Sequence, residues 1–210
     1  APPEYHVRGA VINIVLKRSN DYSFQGEVNA DYTNQYFNGG GANGNFRFST
    51  PKMAIDVMYG ANDVKKMEYM DLYSRHTLKN QIYDIRQNEQ LRMKYWNHNL
   101  RTAFEYNLDD EDHFNLAYTS SFTPEQHSNS LTSGNYQASN YVETRMHNVT
   151  LQYHSGSGFD VGGDYTHYTS DNNQTLFADY ADGAQSGFSI IGGQKIDRYS
   201  IYVDRKRSLA

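Results

Sequence analysis

Hydrophobic and polar residues alternate along much of this chain, one segment after another. From Ser23 to Thr33 the even positions are Phe24, Gly26, Val28, Ala30 and Tyr32, and the odd positions are Ser23, Gln25, Glu27, Asn29, Asp31 and Thr33. One face is apolar or small and the other is polar. That is the period-two signature of a strand, because a helix would mix the two sets on every face. The same reading applies to Phe46 and Phe48, and to Met53, Ile55, Val57, Tyr59 and Ala61. It continues through Trp96, Leu100, Phe104, Tyr106 and Leu108, and then Phe114, Leu116, Tyr118 and Phe122. Val149, Leu151 and Tyr153 follow, then Phe159, Val161 and Tyr165, and last Tyr199, Ile201 and Val203.

The connections divide into two kinds. Thr50-Pro51-Lys52, residues 109–112 and residues 155–158 are short, whereas the polar stretches 34–43, 64–90, 123–141 and 169–188 are long. Short and long alternate, as periplasmic turns and outer loops do in a membrane barrel. Residues 64–93 have no clean period and are expected to be a loop between strand ends, with part of it free to be helical. Pro2 and Pro3 precede the first strand, Pro51 falls in a short turn, and Pro124 opens a long loop. None is expected inside a strand, where it would remove a ladder hydrogen bond. The alternating segments approach the ~9–11 residues of a tilted membrane strand and exceed the ~5–6 of ordinary strands. Aromatics such as Tyr32, Trp96, Tyr106, Phe122, Tyr153 and Phe159 sit near the segment ends, which suits interfacial girdles. The pattern predicts an all-β, antiparallel up-and-down meander of about eight long strands, part of a transmembrane β-barrel.

Composition sharpens this picture. The 210 residues include 19 Tyr and 10 Phe, yet the mean hydropathy is −0.82. Many aromatics on a polar background fit strands that are apolar on one face only. A net charge of −5 gives nucleic-acid binding no electrostatic support. The absence of cysteine excludes disulfides, thiolate metal sites and a Cys nucleophile. Residues 1–8 lack the apolar core of a signal peptide. No stretch approaches the ~18 apolar residues of a membrane helix, so a membrane-spanning reading needs a closed barrel.

Candidate chemistry is thin. The eight histidines are His6, His76, His98, His113, His127, His147, His154 and His167. No pair has metal-ligand spacing on a helix, and His147 and His154 fall on opposite strand faces. The acidic run 109–112 lacks the spacing of a calcium loop and reads as a solvated turn. Asp160 and Asp164 share a face with Thr166, but polar residues are the default lining of a barrel interior. Gly39-Gly40-Gly41 lacks phosphate-loop context and reads as a mobile loop. Gly192-Gly193 reads as a kink or bulge entering a strand. No catalytic, cofactor-binding or metal site is expected, and no enzymatic activity.

Gly9-Ala10-Val11-Ile12-Asn13-Ile14-Val15-Leu16-Lys17 resembles the end of the plug domain in TonB-dependent outer-membrane receptors, which closes with a glycine, I-N-I, apolar residues and a lysine. The Tyr- and Asn-rich segments that follow, such as NHNLRTAFEYNLDDEDHFNLAYTSSF and KIDRYSIYVDRK, are similar in style to the receptor-like barrels abundant in Bacteroidetes. The resemblance implies a plug-like end over residues 1–18 and a partial barrel over 19–210. Complete receptors carry a full plug and about 22 strands, so the expectation is a fragment whose parent imports a nutrient across the bacterial outer membrane. The implied partners are outer-membrane lipid, the TonB complex through other parts of the parent, and a glycan, peptide or metal chelate as ligand. Open sheet edges would also allow self-association. The alternatives are a small eight-stranded barrel with a structural or adhesive role and a soluble β-sheet binding domain.

Overall fold

The computed structural model describes residues 22–205 apart from 35, 80, 110, 133–135 and 180–182. The plug-like segment 1–18 and His6 lie outside the described residues. The chain forms β1 (Ser23–Asn34), β2 (Asn38–Ser49), β3 (Met53–Leu78), β4 (Gln81–Asn107), β5 (His113–Thr132), β6 (Tyr136–His154), β7 (Phe159–Asp179) and β8 (Gln185–Arg205). They make one eight-stranded sheet in sequence order, each strand antiparallel to the next. This is the expected meander. The sheet is open: β1 pairs with β2 and β8 with β7, and the two edges do not meet. These eight strands therefore do not close into a small barrel of their own.

Register aligns the apolar faces predicted for separate segments. Phe24, Phe48, Ile55, Phe104, Leu116, Leu151, Gly163 and Ile201 are successive cross-strand partners. They form one row across the whole sheet. Because side chains alternate strictly between faces, a one-residue slip anywhere would break this row. The sheet is a single layer. Among the described residues the buried hydrophobic side chains are Ala54 and Ala178, and no large side chain is fully covered. The edge strands are barest, with Ile201 84% and Phe24 70% exposed against 38% for Leu116 in the middle. A stable soluble domain packs a second layer on such a face, and the described residues supply none.

The short turns fall where expected, and local chemistry explains each. Thr50 Oγ1 accepts from the backbone N–H groups of Lys52 and Met53 at 3.3 and 3.1 Å. Asp109 Oδ1 accepts from those of Glu111 and Asp112 at 2.9 and 2.7 Å, a side chain standing in for a backbone carbonyl. These two donors, Asp112 first, hold the Asp109 carboxyl below its ordinary pKa. Gly158 closes the third turn with φ +86°, a region open to glycine without cost. Asp112 also accepts from the Gly156 N–H at 2.7 Å, which ties two neighbouring turns together.

The long loops expected at 34–43, 64–90, 123–141 and 169–188 are instead strand over most of their described residues. β3 and β4 pair without interruption from Met53↔Tyr106 to Leu78↔Gln81, so residues 64–93 are a hairpin with no helix. At ~3.3 Å per residue the 26 residues of β3 span roughly 85 Å. The reason the sequence hides this is physical. Backbone ladder hydrogen bonds hold a hairpin together whether or not its side chains alternate, so a strand without period two leaves no mark in the sequence.

Two further expectations are corrected. Gly39-Gly40-Gly41 lies inside β2, not in a loop, and a Cβ on Gly40 would come 2.4 Å from the Asp31 carbonyl oxygen. Gly192 and Gly193 pair regularly with Asn172 and Asp171, with no bulge. The bulge lies elsewhere. Pro124 is within β5, where Thr123 pairs with Thr144 but Gln126 pairs with Val142. Pro124 and Glu125 thus stand against one residue, Glu143. A proline missing its N–H is tolerated at such a break in the ladder.

Candidate functional site

The apolar face is a band, not a whole surface. It occupies the part of each strand next to the short turns: Phe24 to Tyr32, Met53 to Ala61, Trp96 to Tyr106, Phe114 to Phe122, Val149 to Tyr153 and Tyr199 to Val203. Beyond it on the same face come charged and polar residues. On β3 these are Asp63 and Lys65, on β4 Lys94 and Arg92, on β6 Arg145 and Glu143, and on β8 Lys195. On β8 Asp197 precedes Lys195 on this face, so the first charged residue comes nearer to the Phe24–Ile201 row there than on β3 or β4.

Aromatic and histidine side chains mark that crossing. Tyr59 Oη lies 2.9 Å from His98 Nδ1, and the His98 ring stacks on Phe122 with centroids 4.6 Å apart. Trp96 stacks on His98 from the other side at 6.0 Å. Tyr118 Oη and Ser120 Oγ lie 2.8 and 3.1 Å from His147 Nδ1. His167 Nδ1 is 2.7 Å from Asp197 Oδ1, which also accepts from Tyr165 Oη at 2.9 Å. His147 and His167 are direct cross-strand partners with ring centroids 6.5 Å apart. The Tyr59, Tyr118 and Tyr165 hydroxyls each meet a polar atom of a neighbouring strand.

The opposite face is mainly polar over the same rows, with Met58, Ala103 and Met146 among its exceptions. Arg47 bonds Asp56 at 2.7 Å and lies 3.5 Å from Glu105, a three-strand charge network. Asn148 donates to Thr166 Oγ1 at 2.9 Å and accepts from Thr150 Oγ1 at 3.1 Å. Asp164 bonds Ser200, and His154 bonds Asp160, so the two carboxylates have separate partners. His113 stacks on His154 at 4.7 Å. Asp160, Asp164 and Thr166 do share this face, as their spacing requires. Among the described residues no group of three or more His, Asp or Glu side chains is arranged to hold a metal ion. His76 sits near the β3–β4 tip, 3.2 Å from Ser74.

Sequence reasoning passed over the residues of the long β3–β4 hairpin. Near its tip Arg75 and Asp84 are cross-strand partners joined by two hydrogen bonds of 2.7 and 3.1 Å. The Arg75 guanidinium, and after it the Tyr73 hydroxyl, hold the Asp84 carboxyl below its ordinary pKa. Lower down, Lys65 pairs with Lys94, and Lys94 pairs with His127. Arg92 follows Lys94 on the same face. The available signal was the hairpin's own symmetry: folding the chain about Lys79-Asn80 brings Lys65 opposite Lys94.

A cavity of about 410 Å³ lies higher on this face, lined by amide and hydroxyl side chains from four strands together with Arg92, Leu131 and Phe177. Neither a family model nor a curated protein sequence matches the chain.

Proposed function

We propose that the chain is a section of an outer-membrane β-barrel of the TonB-dependent receptor kind, whose parent imports a nutrient ligand. The observation that carries this reading is the apolar band. It lies on one face of a single-layer sheet, holds a row that crosses all eight strands in register, and gives way on β3, β4, β6 and β8 to charged side chains. On β1, β3, β4 and β5 its depth, from Phe24 to Tyr32, Met53 to Ala61, Trp96 to Tyr106 and Phe114 to Phe122, matches the ~9–11 residues that a tilted strand needs to cross a bilayer core. Lipid would cover the band, the polar face would line the barrel interior, and the long hairpins would stand outside the membrane. The raw edges of β1 and β8 would meet further strands of the parent, since an unpaired edge in lipid would leave backbone groups unsatisfied. The plug-like I-N-I segment adds the receptor family to this reading. A glycan, peptide or metal chelate is the ligand class such a parent would carry.

The experiment uses the single tryptophan. Trp96 is on the apolar face at the upper margin of the band and is 45% exposed. Reconstituted into vesicles containing brominated lipid, the chain should show strong quenching of Trp96 emission. Light scattering during size-exclusion chromatography should show aggregates in plain buffer that detergent resolves into discrete particles. A clean monomer without detergent, together with unquenched Trp96, would sink the membrane reading and return the chain to the soluble β-sheet class.

A further inference from the structure

A step in the sheet creates a cationic ledge just above the apolar band. β1 and β2 are 12 residues each, whereas β3 and β4 run for 26 and 27. The short hairpin therefore ends partway up the tall one. Lys65 marks the step: its Nζ donates to the Asn38 carbonyl at 3.1 Å and to Asp63 Oδ2 at 2.5 Å. Beside it, Phe37 at the short hairpin's tip, Lys65, Arg92, Lys94 and His127 line a cavity of about 230 Å³.

The wall of this cavity is apolar, made by Phe37, Met93 and the hydrocarbon stems of the basic side chains, and the charges that surround it are not balanced. Lys65 and Lys94 stand directly opposite one another, and so do Lys94 and His127. Two lysines in that relation, as Lys65 and Lys94 are, destabilise a sheet unless something neutralises them. Lys65 has Asp63, and His127 has Glu125 at 3.6 Å. The side chains of Arg92 and Lys94 have no hydrogen bond or ion pair with any described residue, and both are exposed. Lys94 is the next residue after Trp96 on the same face, so the free cations begin where the apolar band stops. Cations immediately beyond an aromatic girdle lie at the level of lipid headgroups.

We infer that Arg92 and Lys94, with Lys65, His127 and the apolar wall of Phe37, form a binding site for the phosphate of an anionic lipid headgroup. The guanidinium of Arg92 suits two-pronged contact with phosphate oxygens, and the Lys94 ammonium adds a point charge. This inference rests on the membrane reading above, because the site needs the band to be in lipid.

The test is vesicle partition of the full chain, read by Trp96 emission. Vesicles are phosphatidylcholine alone or phosphatidylcholine with phosphatidic acid. The wild-type chain should prefer the phosphatidic acid vesicles by about thirtyfold, roughly fivefold for each free cation. An Arg92→Gln/Lys94→Gln variant should lose that preference and keep its partition into phosphatidylcholine. An Arg101→Gln/Arg198→Gln variant, which removes the same charge from the opposite face, should keep the preference. Equal wild-type binding to both vesicles, or a preference surviving in Arg92→Gln/Lys94→Gln, would overturn the site and leave the membrane reading intact. Loss of the preference in millimolar inorganic phosphate would make it a free-anion site and overturn the lipid assignment. Binding to neither vesicle would remove the membrane reading and this site together.

Discussion

Arg75 and Asp84 face each other across the β3–β4 ladder and share two hydrogen bonds, with Tyr73 Oη adding a third to the same carboxylate at 2.9 Å. Asp84 therefore titrates below the ordinary carboxylate range, held there by Arg75 first and Tyr73 second. A lowered folded pKa means that the pair's contribution is complete above the unfolded value, near ~3.9, and fades as pH falls through the folded one. An NMR titration of the Asp84 carboxyl should show a depressed midpoint. Arg75→Gln should move that midpoint upward. A midpoint that ignores Arg75→Gln would show that the pair does not form in solution.

The tip of the same hairpin contains a second test. Lys79 has φ +48°, which costs a side-chain-bearing residue about 1–2 kcal/mol. Asparagine tolerates that conformation better. Lys79→Asn should stabilise the tip by about 0.5–1 kcal/mol, seen as slower amide exchange at Leu78 and Gln81. Faster exchange there would contradict the turn.

Adjacent residues on opposite faces should respond in opposite ways. Leu116 lies in the apolar row and Asn115 on the polar face. Leu116→Arg should weaken vesicle insertion by about 2–4 kcal/mol, while Asn115→Arg should leave it nearly unchanged. Equal effects at the two sites would remove the distinction between faces.

The turn at Gly158 offers a backbone test. With φ +86°, Gly158→Val should destabilise the β6–β7 hairpin by about 1–2 kcal/mol, measured as a lower denaturation midpoint in detergent. No change would mean the turn adopts another form.

Legibility in the sequence followed alternation. From Phe24 to Tyr32 apolar and polar residues alternate, which named the face of every residue, and the register agrees with it. From Lys66 to Arg92 they do not alternate, and strand was read as loop because the backbone ladder that holds it leaves no mark on the side-chain pattern. Pro124 was misplaced for a related reason: a proline after an alternating segment reads as its end, and only the pairing of Gln126 with Val142 shows that the strand resumes. The Tyr118–His147 and His167–Asp197 contacts needed register as well, since their partners are far apart in the chain.

The extra residue at Pro124–Glu125 has one more effect. Below it the even residues of β5 share a side with Leu116, and above it the odd residues do, which is how His127 comes to stand beside Lys94. The strand is thus written in two frames. A one-residue deletion at this point would exchange one face of the sheet for the other along the whole upper half of β5 while leaving the lower half as it is. The exposed rim can be rewritten in this way without disturbing the band beneath it.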